Sequence, residues 1–105
     1  MSEVVVVASF RFKAGREDEG VELLRGVIED SHGEPGCRLY ALHREADDPT
    51  RFAIVEKWDS QDDLDAHFRQ PHMAGITQAV DLLEEPPQVW FTQPVAIGDP
   101  VKGAL

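Results

Sequence analysis

Cysteine and basic residues are scarce in this chain of 105 residues. It has one cysteine, Cys37, and ten lysines and arginines against twenty aspartates and glutamates, which gives a formal net charge of −10. A lone cysteine excludes an internal disulfide and a zinc site built from paired cysteines, and it fits a reducing cytoplasm. The negative charge repels nucleic acid and anionic membranes, so we expect neither as a partner.

Long apolar runs and cofactor motifs are also missing. The valine run that begins at Val4 lacks a basic lead and is far too short to span a bilayer, so we expect no targeting segment and no membrane anchor. The chain has no phosphate-cradling glycine loop, no Gly-x-Ser-x-Gly elbow and no dinucleotide-binding fingerprint. We therefore expect chemistry that uses no tightly held nucleotide, flavin or metal.

The first half of the chain carries strand and helix patterns in alternation. β-Branched and aromatic residues predict a strand over residues 4–12. Apolar residues at helical spacing predict a helix over 16–31. After a turn rich in glycine and proline, residues 37–44 and 51–58 alternate as two strands joined by a polar turn. The alternation predicts that Cys37, Leu39, Ala41 and His43 share one face of the first of these strands.

The second half repeats the order of helix and strand. Ser60 is a typical N-cap, and an apolar stripe follows it to about Leu83, with a predicted break near Pro71. Two prolines at 86–87 end that helix, and residues 89–92 form a last strand. The tail over 96–105 has no periodicity, and we expect it to cross another surface or to be loose.

The element order β-α-β-β-α-β predicts one α+β domain of the ferredoxin-like kind over residues 1–105, with a core over about 3–95. Right-handed crossovers place both helices on one face of an antiparallel sheet. The other face is then bare, although the first strand carries apolar residues on both faces. A second copy of the sheet is the simplest cover, so the sequence predicts a homodimer.

Two histidines stand out around the second helix. Imidazole titrates near neutral pH and can take a proton from a phenol-like hydroxyl, so His67 and His72 are candidate catalytic bases. The alternative is that one lies on the surface and the other packs the helix break at Pro71. Their spacing of five does not match a metal pair on one helical face, and no third ligand is evident nearby, so we expect no metal.

Glu56 is the odd member of an apolar row that also includes Trp58. In a pocket its pKa would be raised by burial, whereas pairing with Arg38 or Arg51 would make it an ordinary structural residue. The residue types alone leave both interpretations open. Cys37 fits an inert buried thiol.

Several segments together resemble the antibiotic biosynthesis monooxygenase family: residues 34–43, Asp48-Pro49, residues 52–58, and residues 66–72. The resemblance implies a ferredoxin-like protomer, a dimer whose sheets pack into a barrel-like interface, and a pocket between sheet and helices. Family members include cofactor-free quinol and anthrone monooxygenases, haem-degrading enzymes and an isomerase-like enzyme. Haem-degrading relatives carry a ligating histidine deeper in the second helix, whereas this chain has none after His72.

The resemblance favours a cofactor-independent monooxygenase that oxidises a small quinol- or anthrone-like aromatic with O2 in the cytoplasm. His67 or His72 would remove the proton, and the substrate would contact Phe10, Tyr40, His43, Glu56, Trp58, Phe68 and Met73. One alternative is a stress protein that only binds a small hydrophobic ligand. Another is an isomerase of a keto or phosphorylated compound, for which the available cations are Arg38, Arg44, Arg51 and Arg69.

Overall fold

A computed structural model describes residues 3–105. The strands are β1 (Val4–Arg11), β2 (Cys37–Arg44), β3 (Arg51–Trp58) and β4 (Gln88–Thr92), and the helices are α1 (Glu17–Ser31), α2 (Gln61–Phe68), a 3₁₀ turn (Pro71–Met73) and α3 (Ala74–Val80). The strands form one antiparallel sheet in the order β2-β3-β1-β4. The predicted ferredoxin-like α+β fold is therefore confirmed. Among residues 3–105, no helix is long and apolar enough to cross a membrane.

The second helical region is interrupted where proline predicts it. α2 ends at Phe68, and Pro71 begins the 3₁₀ turn that leads into α3. The expectation that this region stays helical to Pro86 is wrong, because α3 ends at Val80 and the next amides bond three residues back, Leu82 to Ala79 and Leu83 to Val80. These i→i+3 hydrogen bonds are of the 3₁₀ type, which is common at the end of an α-helix.

The core lies between the helices and one face of the sheet. Trp58, Leu64 and Phe12 are almost fully buried there. The rings of Phe10, Phe12 and Phe52 pack with centroids 5.5 to 6.0 Å apart. α1 covers these rings, and Gly20, Leu24 and Val27 are among its buried residues.

Gly20 of α1 is the point of closest approach. A Cβ at this position would lie 2.2 Å from Cζ of Phe12, which is itself held by two neighbouring rings. We expect Gly20→Ala to lower stability by about 1–2 kcal/mol, because overpacking outweighs the better helix propensity of alanine. Gly26→Ala is the control in the same helix, since nothing lies within 4 Å of its Cβ position, and we expect it to gain about 1 kcal/mol. Urea unfolding measures both, and a stable Gly20→Ala protein would contradict this packing.

A β-bulge at the start of β2 changes which residues share a face. The pairing of β2 with β3 shifts between Cys37 and Leu39, so Cys37 lies opposite Trp58 and packs against the core. The expectation that Cys37 shares a face with Leu39 and His43 is wrong, because the bulge inserts one extra residue between them. His43 pairs with Ala53 on the opposite face of the sheet and is exposed.

Within the described residues 3–105, no helix covers the second face of the sheet, which we call the open face. Its side chains include those of Val7 and Trp90, which are 36% and 66% exposed and pair across β1 and β4. The tail crosses one end of this face, where its last residues lie beside Val5 and the Lys57 ammonium donates to the carbonyl oxygen of Leu105 at 2.6 Å. Val7 and Trp90 remain exposed on the rest of this face.

Candidate functional site

An apolar cavity of about 150 Å³ lies between the core face of the sheet and the helices. Strand residues form its floor, and residues of α1, α2, α3 and the 3₁₀ turn form its walls. Its lining is Val6, Ala8, Phe10, Phe12, Leu24, Tyr40, Ile54, Glu56, His67, Phe68, Met73, Ile76, Ala79, Val80, Leu83, Pro87, Val89 and Phe91. Phe68 and Phe91 are about half exposed, and their rings meet edge to face at 6.2 Å, so they mark its mouth.

The cavity brings together most of the residues predicted to form the site. Six of them line it: Phe10, Tyr40, Glu56, His67, Phe68 and Met73. Trp58 does not line it and lies directly behind, donating a hydrogen bond from Nε1 to Oε1 of Glu56 at 2.9 Å. His72 also lies outside the lining. The prediction that His43 contacts the substrate is not supported, because the pleat of β2 directs it to the open face.

His67 and His72 meet at a single carboxylate. Nδ1 of His67 lies 2.7 Å from Oε2 of Glu34, and Nε2 of His72 lies 2.8 Å from the same oxygen. The side chains of His67 and Glu34 are 1% and 9% exposed. A buried carboxylate needs hydrogen-bond donors, and the Glu34 carboxylate accepts one hydrogen bond from each imidazole.

Glu34 is the site residue that sequence reasoning missed. It lies in the turn between α1 and β2, thirty-three residues before His67. The bond from the Asp59 amide to the Gly36 carbonyl, 2.9 Å long, ties this turn to the end of β3, directly before α2 begins. The available signal was the pairing of the predicted strands, because a hairpin of β2 and β3 carries residue 34 to the start of α2.

The bond to Glu34 determines which nitrogen of His67 carries the proton. A carboxylate only accepts hydrogen bonds, so the neutral imidazole must donate from Nδ1 and leave a lone pair on Nε2. Nε2 makes no hydrogen bond within residues 3–105, and every buried side-chain nitrogen or oxygen in that range has a partner. Nε2 therefore reaches open space, and the ring lines the cavity. His67 is arranged as a proton acceptor facing an apolar pocket.

Glu56 provides a second proton-carrying group. Glu56 is 8% exposed, and burial raises its pKa to about 7 against the opposing effect of the Trp58 hydrogen bond, with repulsion from Glu34 adding to the rise. Trp58 also packs on the His67 ring, with centroids 4.6 Å apart. Near neutral pH the cavity thus holds an acceptor and a carboxyl poised between its two protonation states.

The remaining polar group is the Tyr40 hydroxyl. Burial raises the pKa of Tyr40 well above its ordinary value, so the phenol keeps its proton. Arg38, Arg44, Arg51 and Arg69 do not line the cavity, and no lysine does so within residues 3–105. A hydrogen-bond donor and two proton carriers in an otherwise apolar space suit a neutral ring that bears hydroxyl groups.

Comparison with known proteins relates this chain to others both by fold and by sequence. The structure aligns with that of Rv0793 from Mycobacterium tuberculosis with a TM-score of 0.85 and 29% identity, covering 93% of this chain and 100% of that one. A structure from Nitrosomonas europaea, described as a candidate antibiotic biosynthesis monooxygenase, aligns at 0.83 with 26% identity over 88% and 89% of the two chains. In sequence, the candidate monooxygenase Rv0793 is 30% identical over 95 residues, 90% of this chain and 93% of that protein.

Fold and site together define a small ferredoxin-like protein with a buried imidazole at an apolar cavity. The family model described as antibiotic biosynthesis monooxygenase matches residues 3–79. The chain belongs to this family, as its sequence motifs predict, and the names of its relatives support a monooxygenase-like function.

Proposed function

We propose that this protein is a cofactor-independent monooxygenase that oxidises a single-ring quinol with O2. The observation that carries this proposal is the orientation of His67, which is held from behind by Glu34 and presents Nε2 to an apolar cavity. Membership of a family of monooxygenases supports the use of O2 as the second substrate. The residues act by removing and returning protons, and the electrons come from the substrate.

A quinol suits such a site because it can reduce O2 without help. Conversion of a benzene-1,4-diol to a hydroxyquinone releases four electrons, which reduce O2 to one oxygen atom in the product and one molecule of water. Overall the organic molecule gains one oxygen atom and loses two hydrogen atoms, which leave in the water together with the second oxygen atom. No external reductant is needed, so the protein has to supply only proton transfer and confinement.

The two proton carriers divide the steps between them. Nε2 of His67 removes a phenolic proton, and the resulting phenolate donates electrons to O2 to form a carbon–oxygen bond and a peroxide anion. The peroxide takes the proton back from His67 and becomes a hydroperoxide. Nε2 of His67 then accepts the ring proton from the oxygenated carbon, and the O–O bond breaks. Glu56 in its protonated form gives its proton to the departing hydroxide, which leaves as water. An apolar lining strengthens each electrostatic contact in these steps.

The size of the cavity selects among the aromatic substrates that the sequence suggests. A cavity of about 150 Å³ is of the size that holds one benzene ring in an engineered protein core. A three-ring anthrone needs the mouth at Phe68 and Phe91 to open. We therefore place single-ring quinols ahead of anthrones.

The composition of the lining weakens one rival function. An isomerase of a phosphorylated compound needs cationic side chains at the phosphate, and the four candidate arginines lie outside the lining. The other rival, a protein that binds a small apolar ligand without converting it, shares the same cavity. Only measurement of turnover separates it from a monooxygenase.

Labelled oxygen tests the proposed reaction. With 18O2 and hydroquinone we expect a hydroxyquinone that carries one 18O atom and an equal amount of labelled water. An oxidase that only dehydrogenates the substrate gives unlabelled benzoquinone and hydrogen peroxide, which contradicts the proposal. Tight binding of hydroquinone with no product selects the ligand-binding protein.

We also propose that a second copy of the chain covers the open face. The strand residues on this face are Leu39, Ala41, His43, Val5, Val7, Ser9, Arg11, Arg51, Ala53, Val55, Lys57, Gln88, Trp90 and Thr92, none of which is acidic. In a chain of net charge −10, such a face lets two copies meet without close repulsion between carboxylates. A second copy would also cover Val7 and Trp90.

A charge at Trp90 tests this contact. We expect the wild-type protein to have the mass of a dimer by light scattering, and Trp90→Glu to shift it to the mass of a monomer at the same concentration. Ala46→Glu, in the exposed turn between β2 and β3, adds the same charge away from the open face and should stay dimeric. A wild-type monomer, or a dimer that tolerates Trp90→Glu, contradicts the proposed interface.

A further inference from the structure

Glu34, His67 and His72 bring three metal-ligating atoms into one small volume, which we call the Glu-His-His cluster. Oε2 of Glu34, Nδ1 of His67 and Nε2 of His72 all lie within 4.8 Å of one another. Their side chains are 9%, 1% and 13% exposed. The sequence-based expectation that the histidines lack a third ligand is wrong, because the turn before β2 supplies it.

We propose that the Glu-His-His cluster binds one divalent transition-metal ion of the zinc type. Zinc takes imidazole nitrogen and carboxylate oxygen at about 2.0–2.2 Å, which places tetrahedral ligand atoms about 3.3 Å apart. The two nitrogens now lie 2.7 and 2.8 Å from the Glu34 oxygen. At both of these nitrogen–oxygen pairs an outward movement of about half an ångström would reach the spacing that the ion requires.

Local structure holds two of the three ligands in place. Glu34 is anchored in its turn by the bond from its amide to the Ser31 carbonyl at 3.0 Å, and His72 lies in the 3₁₀ turn that Pro71 begins. The Ser31 hydroxyl lies 3.4 Å from Nε2 of His72 and is a neutral group available as a further partner. Water can reach the partly exposed His72 side and complete four-coordination.

The donor set selects the kind of ion. Two imidazole nitrogens and one carboxylate suit zinc, cobalt or iron, whereas magnesium and calcium prefer oxygen ligands throughout. The ion would lie behind the His67 ring, because neither Glu34 nor His72 lines the cavity. It therefore has no direct contact with a substrate in the cavity.

Occupancy of the cluster changes what His67 presents to the cavity, a consequence that rests on the proposed function. An ion on Nδ1 displaces the proton from that nitrogen, and the neutral ring then carries its proton on Nε2. On His72 the ion takes Nε2, so the proton of that ring lies on Nδ1. With the ion bound, the cavity faces an N–H donor, and the base that removes the phenolic proton is lost.

Zinc titration of chelator-treated protein tests the site without reference to activity. In competition with a chromophoric chelator, we expect one equivalent of Zn²⁺ to bind, and Glu34→Gln and His72→Gln to weaken that binding by at least about tenfold. His43→Gln, which removes an exposed histidine from the open face, is the matched control and should bind as the wild type does. Co²⁺ should give the visible absorption of a four-coordinate site in the wild type and in this control, and in neither of the two weakened variants.

The outcomes separate the site from the proposed function. No stoichiometric binding of Zn²⁺, or equal affinity in the Glu34→Gln and His72→Gln proteins after circular dichroism shows both folded, overturns the site. One equivalent bound with loss of oxygen uptake, restored by a chelator, supports both the site and its effect on His67. One equivalent bound without any effect on uptake keeps the site and contradicts the role of His67 as base.

Discussion

We expect replacement of His67 with glutamine to lower kcat/KM for oxygen uptake with a single-ring quinol by about 100- to 10,000-fold, the usual contribution of a general base. The glutamine amide can still donate to Glu34, so the buried carboxylate keeps a partner at this position. What the variant lacks is a basic nitrogen at the cavity. Oxygen-electrode measurements at several quinol concentrations give the loss and separate kcat from KM.

His72→Gln is the matched control for this prediction. It keeps a donor to the same oxygen of Glu34, and His72 does not line the cavity, so we expect less than about tenfold loss. Loss of activity in His72→Gln alone would assign the base to His72. Full activity in a variant that lacks both histidines would show that neither of them is the base.

A second large effect is expected in the pH dependence of stability. Burial raises the pKa of Glu56 from 4.5 to about 7, so the folded protein retains a proton that the unfolded chain has released over this interval. Wild-type stability should therefore fall as pH rises from about 4.5 to about 7, by about 3 kcal/mol in total. Glu56→Gln removes the titration and keeps an acceptor for Trp58, so at pH 8 we expect it to be about 3 kcal/mol more stable than the wild type.

The advantage of Glu56→Gln should shrink toward zero as the pH is lowered to about 4, where the wild-type carboxyl is protonated in both states. Urea unfolding at intervals between pH 4 and pH 8 measures this difference. Glu45→Gln, at an exposed position after β2, gives a parallel comparison with no buried carboxyl involved. A constant difference between Glu56→Gln and the wild type across this range would show that Glu56 keeps its charge in the folded protein.

The fold was predictable because each element has its own local signal. The strand over 51–58 and the helix break at Pro71 can be predicted from residue type alone. Both are present in the structure. The bulge at the start of β2 has no such signal, since it depends on how β2 pairs with β3. For that reason simple alternation predicts the wrong face for Cys37.

The site was predictable only in part for a related reason. The pleat of β3 places Glu56 and Trp58 on the core side, as their alternation indicates. The contact of Glu34 with His67 joins the α1–β2 turn to α2, and no short-range sequence pattern indicates it. Sequence reasoning could nominate His67 and His72 but could not distinguish between them, because the distinction depends on which ring lines the cavity.

Oxygen uptake by chelator-treated protein with hydroquinone tests the central claim most directly. We expect the wild type to accelerate uptake above the buffer rate without added metal, and His67→Gln to abolish the acceleration. Two results would contradict it. One is uptake at the buffer rate although hydroquinone binds, and the other is acceleration that appears only after a metal ion is restored.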